Sequence, residues 1–316
     1  MSLEIESITK RFGEVVALDG VSLRVEPGQV FGFLGANGAG KTTAMRIVLD
    51  ILRPDTGTVR WEGLPNTEVP RRTWGYLPEE RGLYARMKVL DQLVFFGELQ
   101  GLRPAAARRE ALEWLERFRI PDYAGRRAEQ LSKGNQQKVQ FIAAILHDPD
   151  VLLMDEPFTG LDPVNVALLK EAFLELRQRG KTLVFSTHQM ETVEELCESI
   201  AILDRGRVVV TGPVREVRAA GGRRMVRLAV ADDPELDWLD SEPGVHVIRH
   251  GQDYTEAEVA RDRDPATILA EALRRGGRVT HFEIADPSLE QVFIERVGAI
   301  DRSERTLAPR AAGVEG

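Results

Sequence analysis

The sequence predicts an α/β fold: a mixed-sheet core with an antiparallel β subdomain before it, an α-helical subdomain inserted into it, and a small C-terminal α+β domain behind it. Three observations carry this prediction. Val30-Phe31-Gly32-Phe33-Leu34 and Val151-Leu152-Leu153-Met154 are wholly apolar, as strands become when both sheet faces are covered. Between them, from about residue 88 to 148, apolar residues recur at helical rather than strand spacing. Beyond about residue 215 the alternation of elements starts afresh, so a chain of 316 residues divides into two domains, 1–215 and 223–298, with a loose tail at 299–316.

The first 29 residues alternate like strands. Leu3, Ile5 and Ile8 form one run, Val15 to Leu18 a second, and Val21, Leu23 and Val25 a third. Turn signals at Phe12-Gly13-Glu14, Asp19-Gly20 and Glu26-Pro27-Gly28 separate them. Phe12 has two open readings on its local sequence: a core aromatic, or a flat apolar surface on which a base stacks.

The strand at Val30–Leu34 feeds Gly35-Ala36-Asn37-Gly38-Ala39-Gly40-Lys41-Thr42-Thr43, and a helical run follows. This fits G-x-x-x-x-G-K-[ST], a phosphate-binding loop (P-loop). Glycines let the backbone curl until several N–H groups converge on phosphate oxygens. The helix adds its unpaired N–H groups and the positive end of its dipole. Lys41 reaches the outer phosphates in such a loop, and the Thr42 hydroxyl ligates Mg2+.

Arg53 to Gly57 reads as a turn, Thr58 to Trp61 as a strand, and Trp74 to Leu77 as a strand that Pro78 stops. The helical subdomain, about 88–148, ends in Leu131-Ser132-Lys133-Gly134-Asn135-Gln136-Gln137-Lys138, with Ser132 as helix N-cap. The apolar strand at Val151 ends in Asp155-Glu156, and function sits at such carboxyl ends. Thr159 to Pro163 is a tight loop, and Val164 to Arg179 a helix. Thr182 to Ser186 is a further buried strand with His188 just past it, then a short acidic helix from Gln189 to Glu198. Ile200 to Leu203 and Arg207 to Val210 form a hairpin.

From Met225 onward the order is strand, helix (Pro234 to Leu239), strand, strand, helix (Pro265 to Arg275), strand, helix (Ser288 to Val297), a small unit of ferredoxin-like type. Ala219 to Gly222 marks the boundary. His246, His250 and His281 lack metal-ligand spacing.

A net charge of −8 argues against a nucleic-acid surface. One cysteine, Cys197, allows no internal disulfide, which fits the reducing cytoplasm. The start Met1 to Glu6 lacks the pattern of a signal peptide, and no run nears the roughly 18 apolar residues of a membrane span. Work at a membrane would need a crossing from another chain.

Over roughly residues 3–215 the ordered motifs resemble the ATP-binding cassette of ABC transporters. They are the phosphate loop, Leu131 to Asn135, Asp155-Glu156, Thr159-Gly160-Leu161-Asp162 and His188. The resemblance implies a P-loop ABC ATPase core that binds ATP and Mg2+. It implies a head-to-tail dimer, of two copies or with a related ATPase, closing over two ATP molecules. Each ATP would lie between one copy's phosphate loop and the other's Ser132 and Gly134. Lys41 would neutralise phosphate, Thr42 and Asp155 hold Mg2+, and Glu156 act as base or orient water. His188 would touch the γ-phosphate and position Glu156, Asp162 relay between sites, and Phe12 stack on adenine. The plainer alternatives are a strand-end carboxylate for Glu156 and a loop histidine for His188.

Two departures stand out. Glu79 takes the place of the family's usual Gln; it offers Mg2+ a hard ligand and adds negative charge near the γ-phosphate. Lys133 and Asn135 replace Gly and Gln, and Lys133 brings an offsetting positive charge. Within the family, these runs and Pro287 to Phe293 resemble bacterial exporter subunits, including the sodium-export type, which pair with a separate membrane permease. The helical subdomain and the Glu79 loop would dock its cytoplasmic helices, leaving the chain cytoplasmic, peripheral on the inner face of the membrane. A soluble ribosome- or DNA-acting ATPase and a low-turnover regulatory module are the competing readings. A single cassette, no heptad run and the acidic charge oppose the first; intact Glu156 and His188 oppose the second.

Overall fold

The computed structural model describes residues 2–296, apart from Arg81, Gly221, Gly222, Pro234, Arg261 and Glu295. The tail expected at 299–316 and the last residues of the final helix lie outside them, as do Gly221 and Gly222 of the expected boundary. The chain divides into two compact units, one up to Pro213 and one from Val214.

In the first unit β1 (Leu3–Phe12) and β2 (Val15–Val25) form a long antiparallel hairpin. The expected break at Asp19-Gly20 is absent: β2 is continuous. Gly20 takes φ +65, and the register slips there between Ile8↔Val21 and Lys10↔Leu18. The turn signal thus marks a bulge, since a glycine with positive φ absorbs an extra residue without ending the strand. β3 (Val30–Leu34) and α1 (Lys41–Val48) follow. β4 (Thr56–Trp61) and the short β5 (Leu64–Pro65) complete a sheet of order β2-β1-β4-β5.

β6 (Trp74–Leu77) precedes the helices α2 (Val89–Leu99), α3 (Pro104–Arg117) and α4 (Lys133–Ile145). Then come β7 (Val151–Asp155), α5 (Pro163–Gln178), β8 (Thr182–Thr187), α6 (Met190–Leu196), β9 (Ser199–Asp204) and β10 (Arg207–Pro213). The second sheet has the order β10-β9-β3-β8-β7-β6. Its neighbours are parallel except for the β9–β10 hairpin. Every residue of β3, β7 and β8 is buried, which explains their unbroken apolar runs. Leu34 pairs with Thr187 and Asp155 with Ser186, so these three central strands end together. Their carboxyl ends therefore present the segments after Leu34, Asp155 and Thr187 at one edge, where parallel sheets hold ligands.

The second unit holds α7 (Val214–Ala219), β11 (Arg223–Val230), β12 (Val245–His250), β13 (Thr255–Ala260), α8 (Ala266–Arg274) and β14 (Val279–Ala285). Its sheet runs β12-β13-β11-β14 with every neighbour antiparallel. Val226, Leu228, Val259 and Ile268 centre its own core. The helix expected at Pro234 to Leu239 is instead a 3-10 turn, Asp237–Ser241. Leu236 precedes it in a left-handed conformation that no α-helix continues through.

Candidate functional site

β3 delivers the chain into a tight loop that only glycine permits at its two ends. Gly35 has φ +151, and a Cβ there would stand 2.4 Å from the Leu203 carbonyl oxygen. Gly40 has φ +107, and its Cβ would stand 2.6 Å from the Ala17 oxygen. Gly40 is also the N-cap of α1 and brings no side chain to it. The first backbone bond into the helix is Ala44 N–H to Gly40. The amides of Lys41, Thr42 and Thr43 are thereby left without intrahelical acceptors, the arrangement that attracts an anion.

Lys41 is buried, and its Nζ donates to the carbonyls of Gly35 (2.7 Å) and Ala36 (3.1 Å). Burial pushes its ammonium pKa down, while Glu156, Asp155 and Glu79 pull it back up. Its direct partners are carbonyls of its own loop rather than a carboxylate, so the ammonium is held in place for a phosphate.

Asn37, Gly38, Ala39, Gly40, Lys41, Thr42 and Thr43 line one cleft with Val15 to Ala17, Glu79, Asp155 and Glu156. The fold thus brings Glu79, on the exposed loop after β6, to the same space as the two carboxylates at the end of β7. Asp155 is 1% exposed. Its Oδ1 accepts from Ser186 Oγ, while its Oδ2 is buried with no hydrogen-bond partner. An unpaired buried carboxylate oxygen in a cleft that Thr42 also lines is a fit for a hard divalent cation.

Glu156 is 8% exposed and holds a left-handed backbone, φ +50. Its N–H donates to Ser186 Oγ at 3.1 Å. Its side chain is fixed on both oxygens: Thr159 Oγ1 donates to Oε2 at 3.1 Å, and His188 Nδ1 lies 3.0 Å from Oε1. Non-glycine residues with positive φ are costly and gather at working sites. Here the unusual backbone follows directly on the end of β7, in a residue that lines the cleft.

Other predicted residues lie outside this cleft. Ser132 caps α4 by accepting from Asn135 N–H at 3.3 Å, and it is exposed. Gly134 packs beside Asn165, where a Cβ would meet Nδ2 at 3.0 Å. Asp162 caps α5, accepting from Val164 N–H (3.1 Å) and Asn165 N–H (3.0 Å). These bonds, Asn165 first, hold its carboxyl below the ordinary value. Phe12 is 50% exposed at the end of β1, so it is no core residue. Its hairpin partner Val15 lines the cleft.

A family described as "ABC transporter" matches residues 18–159, and one described as "ATP-binding protein DrrA1-3-like, C-terminal domain" matches residues 212–297. The ABC transporter ATP-binding protein YhaQ of Bacillus subtilis (strain 168) is 46% identical over 298 residues, 94% of this chain and 99% of that protein. The chain belongs to the ABC transporter ATP-binding proteins. The Nod factor export ATP-binding protein I of Ralstonia nicotianae is 38% identical over 94% of each chain. A solved "ATP binding subunit of ABC transporter" matches with TM-score 0.66 and 30% identity, over 70% of this chain and 94% of that one. This ABC subunit is an ATPase by family. No helix among its described residues is long and apolar enough to cross a membrane.

Sequence reasoning assigned no individual role to three residues around this candidate site. Ser186 serves both Asp155 and Glu156; Thr159 fixes Glu156; and Gln137, buried in α4, donates to the Pro157 carbonyl at 3.2 Å. Thr159 and Gln137 stand inside runs already singled out as motifs, and Ser186 is a polar residue closing an apolar strand beside the one that carries the carboxylates.

Proposed function

We propose that this ABC subunit powers export through a separate transmembrane permease, working as an ATP-closed head-to-tail dimer with a second copy or a related ATPase. The export reading draws on the names of its relatives, which include Nod factor export proteins and a linearmycin resistance protein of Bacillus subtilis. The subunit then sits in the cytoplasm on the inner membrane face, held there by the permease. Residues 1–215 form the motor, and 223–298 are an accessory domain of ferredoxin-like type.

Within the motor, the loop Gly35–Thr43 binds the ATP phosphates and Lys41 neutralises them. Phe12 stacks on adenine beside the wall made by Val15 to Ala17. Thr42, Asp155 and Glu79 hold Mg2+, which, when bound, screens the phosphate charge that builds up in hydrolysis. Glu156 takes a proton from, or orients, the attacking water. His188 holds Glu156 and meets the γ-phosphate. Ser132 and Gly134 complete the partner's site, and Asp162 couples the two sites.

One observation supports these roles above the rest. The Glu156 carboxylate is buried yet pinned by Thr159 and His188, and it lines the same cleft as the phosphate-loop lysine. The test is Glu156→Gln. Steady-state hydrolysis should fall by about 10²–10⁴-fold, the span of general-base catalysis. Size analysis in ATP and Mg2+ should still find the dimer. Undiminished hydrolysis would remove Glu156 from its role.

A further inference from the structure

The N-termini of α4 and α5 meet at Asn165, a residue outside the sequence motifs of the cassette. Half-buried in the first turn of α5, it places its Nδ2 where a Cβ on Gly134 would stand only 3.0 Å away. The same Nδ2 donates to Asp162 Oδ2. Gly134 lies in the run that the proposed dimer turns toward its partner's ATP, and Asp162 ends the loop that follows Glu156. One amide thus touches both.

Helix capping does not require this bond. Asp162 Oδ1 already accepts from the Val164 and Asn165 amides, at 3.1 and 3.0 Å, and so caps α5. The side-chain bond to Oδ2 satisfies no helix N–H. It converts a carboxylate held on one oxygen into one held on both, by a charge-assisted bond that fixes its plane. Gly134 is equally telling. It sits inside α4 without a positive φ, so its backbone conformation does not demand glycine. What a methyl group there would meet is Asn165 Nδ2, with Leu161 Cδ2 next at 3.6 Å. The missing side chain makes room for the amide.

The contact also closes a loop. Gln137, about one turn along α4, donates to the Pro157 carbonyl at 3.2 Å. The stretch from Pro157 to Asp162 is therefore tied to α4 at both ends, by Gln137 at its start and through Asn165 at its finish. Thr159, between them, donates to Glu156 Oε2. Charge crosses the same contact. Burial lowers the pKa of Lys138 in α4, and the charge of Asp162 raises it in part.

We propose that Asn165 is a positioning residue for the shared site: its amide joins the Gly134 end of α4 to Asp162, so that both face the second copy as one rigid surface. The inference rests on the head-to-tail dimer reading and adds the residue that sets the geometry of the donated half. Asn165 is not among the residues that line the phosphate cleft of its own copy. Its loss should therefore spare ATP binding by the single chain and weaken the closed dimer.

The test places Asn165→Leu and Asn165→Ser in the Glu156→Gln chain and measures dimer dissociation in ATP and Mg2+ by analytical ultracentrifugation. Leucine keeps the size and loses the donor; serine keeps a donor in a smaller side chain. Asn165→Leu should weaken the dimer about ten-fold, the worth of roughly one charge-assisted bond, and Asn165→Ser should recover most of that loss. A fluorescent ATP analogue should bind the dilute monomers of all three chains alike. A packing role would leave serine worse than leucine. That order overturns the proposal, as does weakened analogue binding or an Asn165→Leu dimer as tight as its parent. A second arm measures hydrolysis in chains with Glu156 intact. Gly134→Ala/Asn165→Ser should turn over at least about two-fold faster than the product of the two single losses predicts, because the smaller residue admits the methyl group. Strictly multiplicative losses would show that Gly134 makes no room for the amide, and overturn the brace. If the Glu156→Gln parent itself forms no dimer at any ATP concentration, the dimer reading fails, and Asn165 loses its role with it.

Discussion

Ser186 shows how one hydroxyl can serve two neighbours in this site. It donates to Asp155 and accepts from the Glu156 amide, and it is fully buried. Ser186→Ala removes one donor and one acceptor at once. Asp155 would then hold two buried oxygens without a protein partner, since its Oδ2 already has none. The expected cost is about 1–3 kcal/mol in unfolding free energy, the desolvation of an unmade buried bond. It should be read by urea unfolding without nucleotide. A loss below about 0.5 kcal/mol, ordinary for a surface change, would mean that the serine is not needed there. The same residue marks what the sequence conceals. Asp155 and Glu156 stood out because four apolar residues lead to them. The role of Ser186 arises from register, Asp155 opposite Ser186, and pairing of strands distant in the chain leaves no local pattern.

At the scale of elements, α4 links three parts of the first unit. Its N-terminus carries Ser132. Its middle reaches the loop after β7 through Gln137 and packs Phe141 on Phe173 of α5. Just past its end, His147 bonds the Trp74 carbonyl at the start of β6. That last contact carries a pH signature. Burial in the folded state holds the His147 pKa below 6.5, so as pH falls through 6.5 the unfolded chain takes up a proton that the folded chain resists. Stability rises with pH wherever the unfolded state binds more protons, so it should drop as pH falls from 6.5 toward the folded value. The drop should be shallower in His147→Phe when urea midpoints are compared across this range. Parallel curves would show that His147 titrates alike in both states. The helix was legible from its cap and apolar period. Its partners were not, because they lie on widely separated stretches of chain, each patterned for its own local reason. The bulge in β2 has a similar lesson: Asp19-Gly20 signals a turn locally, but pairing with β1 keeps the strand going.

At the scale of the whole molecule, the placement of residues argues for a site shared between copies. The phosphate loop, Glu79, Asp155 and Glu156 line one cleft, while Ser132 and Gly134 do not. If the signature completes a neighbour's site, hydrolysis by the isolated subunit should rise faster than linearly with protein concentration, until the dimer saturates. A strictly linear dependence would mean that each copy works alone. The two departures from the family pattern then act across the interface. In that arrangement Glu79 would add negative charge at the phosphates of one copy, and Lys133, which is exposed, would bring positive charge from the other. Lys133→Gly should therefore lower hydrolysis more in the wild type than in a Glu79→Gln background. Charges that face each other should couple by about 0.5–3 kcal/mol, so the two losses should differ by at least about two-fold. The coupling should shrink at high salt if the pair stays solvated. Equal losses in both backgrounds would make Glu79 and Lys133 independent features, with no compensation between them.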